Sequence, residues 1–277
     1  MPPILFDRAQ LRKRRARTAA RFATHDFLWR EATARAEESL SFITHRFPTM
    51  IGFGTYAMAA PAGTNHFIHC AEHASSAQPH QLVADEEILP FAENSVDAVV
   101  SILNLHWVND LPGTLAQIQR MLKPDGLFMA ILPGGETLRE LRSVLAETES
   151  AFSGGITPRI SPFIDVRDGG ALLQRAGFAL PVADTEMLTV SYENMFALMD
   201  DLRGSGSANL LQQRMQHFTP RGFFLDAAKR YAEKFGDGEG RITATVELVT
   251  LTGWKPAATQ QQPAKRGSGK VSLREIF

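Results

Sequence analysis

The chain has 277 residues, 44% hydrophobic and 21% charged, with a formal net charge of -1. That is ample apolar material for a large core, and the balanced charge excludes a globally basic nucleic-acid binder and an acidic disordered chain. One cysteine, Cys70, excludes a disulfide framework and a multi-cysteine zinc site, and points to a reducing compartment.

From the N-terminus, Met1-Pro2-Pro3-Ile4-Leu5-Phe6-Asp7 lacks the charged-then-apolar order of a signal peptide, and no later apolar run reaches the roughly 20 residues of a membrane helix. The expectation is a soluble intracellular protein: cytoplasmic in a bacterium, in the mitochondrial matrix in a eukaryote. Arg8, Arg12, Lys13, Arg14, Arg15, Arg17 and Arg21 follow with no acid among them. Three readings stand: a footprint for an acidic partner or nucleic acid, a presequence, and a solvated helix face. Residues 26 to 46 have helical spacing, with Phe27, Leu28, Ala32, Leu40 and Ile43 opposite charged positions.

Short apolar runs then alternate with helical stretches. Strands are predicted at Thr49 to Phe53, His66 to Cys70, Gln81 to Ala84, Asp97 to Leu103 and Leu127 to Leu132. The run Asp97 to Leu103 is too apolar to be half exposed. Leu111 to Leu122 is a helix stopped by Lys123-Pro124-Asp125-Gly126. Helices are expected at Glu136 to Ala151 and Asp168 to Ala176, and a strand from Gly177 to about Val190. A helical block and a strand at Ile242 to Leu251 follow. The alternation predicts a parallel sheet with helices on both faces, and the two late strands add an antiparallel edge. The expected division is a basic helical segment at 1–47, an α/β domain at 48–254 with a helical insertion near 191–240, and a basic irregular tail at 255–277.

Four segments occur in order: Val83 to Phe91, Asp97 to Val100, Leu105-His106-Trp107-Val108-Asn109-Asp110-Leu111-Pro112, and Leu122 to Gly126. With them the chain resembles the class I S-adenosylmethionine-dependent methyltransferases. Phe6-Asp7-Arg8, Gly134-Gly135-Glu136-Thr137, Ile160-Ser161-Pro162-Phe163, Ala176-Gly177-Phe178 and Gly253-Trp254-Lys255 narrow the resemblance to one subgroup. That subgroup includes the mitochondrial complex I assembly factor 5 and its bacterial relatives. The malonyl-acyl-carrier methyltransferases of biotin synthesis share the core and fit these pieces less well.

The resemblance implies a Rossmann-like seven-stranded sheet, S-adenosylmethionine as cofactor, and a protein substrate in respiratory complex I assembly, an iron-sulfur subunit in the mitochondrial relative. The implied reaction is methyl transfer or arginine hydroxylation. A scaffold that has lost its cofactor is the alternative, as is the malonyl-carrier reaction. In such folds the cofactor lies beyond the carboxyl ends of the strands. Asp85 is placed to face the adenine, with Glu86 beside it, against the plainer role of a turn aspartate. Gly52 and Gly54 remain of the glycine-rich loop, while Met50 stands at its acid and Tyr56 at its third glycine. Glu72 reaches the ribose position only with a shifted register. Asn104 and His106 stand where chemistry would occur, His106 as a base, and Trp107 is either an aromatic wall for the cofactor or a core plug. His66, His69, Cys70, His73 and His80 contain ligand-type side chains, but a strand spacing of three puts His66 and His69 on opposite faces, so no metal is expected.

Overall fold

The computed structural model describes residues 4–55, 58–71, 81–215, 217–261 and 268. Seven strands form one sheet: β1 (Thr49–Phe53), β2 (His66–Ala71), β3 (Gln81–Val83), β4 (Val96–Ile102), β5 (Leu122–Pro133), β6 (Ala179–Tyr192) and β7 (Ile242–Trp254). Their order is β3-β2-β1-β4-β5-β7-β6. The first five run parallel, and β7 inserts antiparallel between β5 and β6. The predicted fold class holds, and β6 is the outer strand of the antiparallel edge. Strand order reverses between β1 and β4, which puts a crevice at their carboxyl ends.

Alternation along the central strands sends side chains to two cores. Val99, Phe128 and Ala130 pack with Leu115, Ile118 and Met121 of α3 (Leu111–Met121) and Leu173 of α5 (Val166–Arg175). Ala98, Val100, Met129 and Ile131 face the other way, against Trp29, Ala32, Ala36 and Leu40 of α2 (Phe27–Ser41). A third cluster joins α4 (Arg139–Ser153), α6 (Met195–Gly204) and α7 (Arg221–Phe235) over Ile242 and Ala244. The helical insertion therefore stands over the carboxyl edge next to β5. No described helix is long and apolar enough to cross a membrane.

The N-terminal segment crosses the same edge. Leu5 and Phe6 donate backbone N–H groups to Asn109 Oδ1 at 2.8 and 2.7 Å, and Phe6 bridges to Leu211. Asp7 then caps α1 (Arg8–Thr18) by accepting from Gln10 N at 2.9 Å.

Candidate cofactor and substrate site

After β1, Gly54 adopts φ +147°, and a Cβ there would stand 2.7 Å from the Ile102 carbonyl oxygen. The ends of β1 and β4 thus approach as closely as backbone allows, and only glycine fits. The Gly54 N–H donates to the Cys70 carbonyl at 3.3 Å. Gly52 serves packing as well, since a Cβ there would meet the Phe67 ring at 2.8 Å. Met50 is fully buried in the core face toward α2, so it is a packing residue and not a vacant ligand position. Tyr56, Glu72, His73 and His80 lie outside the described residues, and the readings placed on them fall there too.

Asp85, Glu86 and Glu87 follow β3, and α1 lies across them. Buried Arg8 bonds Asp85 at 2.5 Å, bonds Glu86, and approaches Glu87 at 3.4 Å. Arg12 adds a contact to Asp85 at 3.3 Å. Burial pushes the Asp85 carboxyl up, but the Glu87 N–H and the two arginines outweigh it and hold the pKa below the ordinary value. Glu86 is only 1% exposed and also accepts from Asn104 Nδ2 at 2.5 Å, while Asn104 Oδ1 accepts from Arg15 at 2.8 Å.

Three expectations are corrected by this network. Glu86 is an internal counter-ion, not a cofactor contact. Asn104 has its amide oxygen and nitrogen both engaged by protein groups, so it is a network member rather than a free catalytic group. The basic run is neither a solvated face nor a docking surface over most of its length: Arg8 and Arg15 are buried and Arg12 and Arg14 half-buried, leaving Lys13, Arg17 and Arg21 exposed.

Leu105 to Trp107 form a 3₁₀ turn after β4. Burial, helped by Arg15, holds the His106 pKa well below its ordinary value, so the ring is neutral at pH 7 and a weak base. Its Nδ1 is buried without a hydrogen-bond partner among the described residues, as is Thr55 Oγ1 just past β1. Trp107 is 3% exposed and meets Phe6 edge-on at 5.4 Å, in a cluster with Leu11, Leu210 and Leu211. It is the core plug under the N-terminal segment. On β2, His69 and Cys70 are buried, and burial pushes the thiol up to about 12. Among the described residues no group of three His, Cys, Asp or Glu side chains is placed to hold a metal.

This edge fits an adenosyl ligand at three points: half-exposed Asp85, and the two unsatisfied atoms of Thr55 and His106 that flank the switch point. Asp85 would be shared with Arg8 and Arg12.

Beside it opens a cavity of about 390 Å³, bounded by the ends of β4 and β5, by α2, α4 and α6, and by the 205–215 loop. Leu103 and Leu138 line it in the left-handed region, at φ 47° and 56°, pinned by N–H bonds to the carbonyls of Ile131 and Thr245. Such strain costs on the order of 1–3 kcal/mol and gathers at functional sites. Four arginines reach the wall. Arg159 pairs with Glu149 at 3.0 Å, Arg214 with Asp7 at 3.0 Å, and Arg14 donates to the carbonyls of Ala208 and Asn209 at 2.9 and 2.8 Å. Arg203 is the fourth. The Gly-Gly-Glu segment is clamped from behind: a Cβ on Gly134 would strike Glu247, whose Oε2 accepts from Glu136 N at 2.9 Å. His25, Tyr192, Asp201 and Arg159 also line the cavity and carry no local signal in the sequence, because their partners come from remote segments.

Comparison with known proteins agrees with this geometry. Residues 60–130 match the model of a family described as a methyltransferase domain. Over 98% of its length the chain is 39% identical to the mouse arginine-hydroxylase NDUFAF5, mitochondrial, and 37% identical to the zebrafish protein, covering 83% and 89% of those chains. It is 31% identical to the malonyl-[acyl-carrier protein] O-methyltransferase of Xylella fastidiosa, over 92% of this chain and 90% of that one. The fold matches the crystal structure of the YcgJ protein from Bacillus subtilis with a TM-score of 0.51 at 11% identity, covering 83% and 100% of the two chains.

Proposed function

Because this chain belongs to the methyltransferase-fold family that includes the arginine-hydroxylase NDUFAF5, we propose that it is an enzyme that modifies an arginine of a protein substrate in respiratory complex I assembly, by hydroxylation. The observation that carries this reading is identity of 37–39% over a match that covers 98% of this chain. Fold alone does not fix the reaction, since one scaffold hosts many chemistries.

Asp85, Thr55 and His106 would hold S-adenosylmethionine along the switch-point edge. When bound, that group supplies an activated methyl, which serves the methyl-transfer alternative; hydroxylation instead inserts an oxygen atom and draws on dioxygen with an external two-electron reductant. The chain's own residues supply the rest. The N-terminal segment shields the edge from water, the neutral His106 ring presents an unbonded Nδ1, and the strained Leu103 and Leu138 fix the wall between cofactor edge and cavity.

A second reading has its own observation. Arg203 on the cavity wall suits a carboxylate, as in malonyl-carrier methylation. The deciding experiment removes the gene in its own host and maps the iron-sulfur subunits of complex I by mass spectrometry. The expected result is an arginine that carries one extra oxygen in the parent and lacks it in the deletion. Gain of a methylene instead would assign methyl transfer, and a methyl ester on a malonyl carrier would favour the second reading. Unchanged arginines, with no binding of S-adenosylmethionine or its demethylated product by calorimetry, would leave a scaffold.

A further inference from the structure

One carboxylate stands on the cavity wall among the described lining residues, Asp201 of α6. Its Oδ1 is 2.9 Å from His25 Nδ1, which donates to it, and its Oδ2 accepts the Tyr192 hydroxyl at 2.9 Å. The three groups come from separate places: the connection between α1 and α2, the end of β6, and α6. Gly204 makes the meeting possible, because a Cβ there would lie 2.1 Å from the His25 ring. Burial and the neighbouring Asp201 push the Tyr192 phenol well above its ordinary pKa, so it stays a protonated donor.

Each Asp201 oxygen has accepted one bond, and a carboxylate oxygen offers two lone-pair directions. One acceptor position therefore remains on each oxygen of a carboxylate that is 20% exposed. Their complement is a planar fork of two N–H donors, which a guanidinium has and an ammonium lacks. Phe27, Tyr192 and Phe224 give the same cavity aromatic walls for a delocalised cation. Arg159, Arg214 and Arg14 are already engaged by Glu149, Asp7 and backbone carbonyls. Arg203 opposes a cation through space, which limits affinity without closing the fork.

We propose that Asp201, oriented by His25 and Tyr192, is the docking group for the guanidinium of an arginine side chain that enters the cavity. The proposal rests on the reading that the acceptor is a protein arginine, and it assigns the residue that selects it.

The test titrates the full chain with Nα-acetyl-arginine N-methylamide, followed by NMR, against the matching lysine and citrulline compounds. Citrulline keeps the shape and loses the charge. Wild type is expected to bind arginine more tightly than either. Asp201→Asn should weaken arginine about 10- to 150-fold, the range of a charged hydrogen bond, and leave citrulline nearly unchanged. Tyr192→Phe keeps the carboxylate and releases its orientation, so it should lose several-fold; it serves as the second variant if Asp201→Asn melts early. Equal binding of arginine and citrulline by wild type would overturn the proposal. So would full arginine affinity in a folded Asp201→Asn protein. If the arginine of the complex I subunit is unmodified in the parent strain while Asp201-dependent binding persists, the proposed reaction fails and the docking assignment stands.

Discussion

Replacing Arg8 by Met tests whether the N-terminal helix is part of the folded core. The magnitude follows from which carboxylates lose their partner. Glu87 is 29% exposed and keeps water, and Asp85 is 37% exposed and keeps Arg12. Glu86, 1% exposed, loses the Arg8 guanidinium and keeps its bond from Asn104. The cost is therefore dominated by the loss of the Arg8 guanidinium from one buried carboxylate, about 3–5 kcal/mol, rather than the sum of three ion pairs. For a chain of this size that is a fall in Tm on the order of 10 °C. Thermal unfolding by circular dichroism reads it directly. The double variant Arg8→Met with Glu86→Gln removes both charges and should recover at least half of the loss. A single variant that melts within 2 °C of wild type on the scale of that ~10 °C expectation would refute the buried network. So would a double variant that melts no higher than the single.

Three further outcomes are expected. Gly54→Ala puts a Cβ against the Ile102 carbonyl at a positive φ, so urea unfolding should show a loss of about 2–5 kcal/mol; a wild-type midpoint would mean that the β1 and β4 ends do not touch. Met50→Asp places an acid in the core and should destabilise by about 3 kcal/mol or more without improving S-adenosylmethionine affinity, whereas tighter binding by calorimetry would return the position to the ligand site. The Glu149 carboxyl is raised by burial and lowered further by bonds from Arg159 and Thr157, for a net pKa below 4.5. Its stabilisation is thus present above the unfolded carboxylate value and fades as pH falls through the folded one. The gap in Tm between wild type and Glu149→Gln should be full near neutrality and shrink below about pH 4.5, and a constant gap from neutrality to acid would contradict it.

Local pattern set the frame of this protein. The strand at Thr49–Phe53 is found at its predicted limits, because an apolar run closed by glycine has one period and one stop. The strand read at Asp97 to Leu103 is found at Val96–Ile102, since Leu103 already turns away at φ 47° to line the cavity. The helix expected from Glu136 begins at Arg139, because Glu247 and Thr245 of β7 hold residues 134–138 out of helical geometry. Doubly wound order also follows from alternation of strand and helix, which is legible one segment at a time.

Site chemistry was legible only in part. Asp85 follows β3 and His106 follows β4, both at carboxyl ends of strands, but their protonation and partners come from elsewhere in the chain. Arg8 meets Asp85 from 77 residues away, and His25 meets Asp201 from 176 away. A run of arginines without nearby acids reads in sequence as exposed charge. In the folded chain it is drawn inward, because the acids after β3 lose water at the crevice and need counter-ions that only the tertiary structure brings to them.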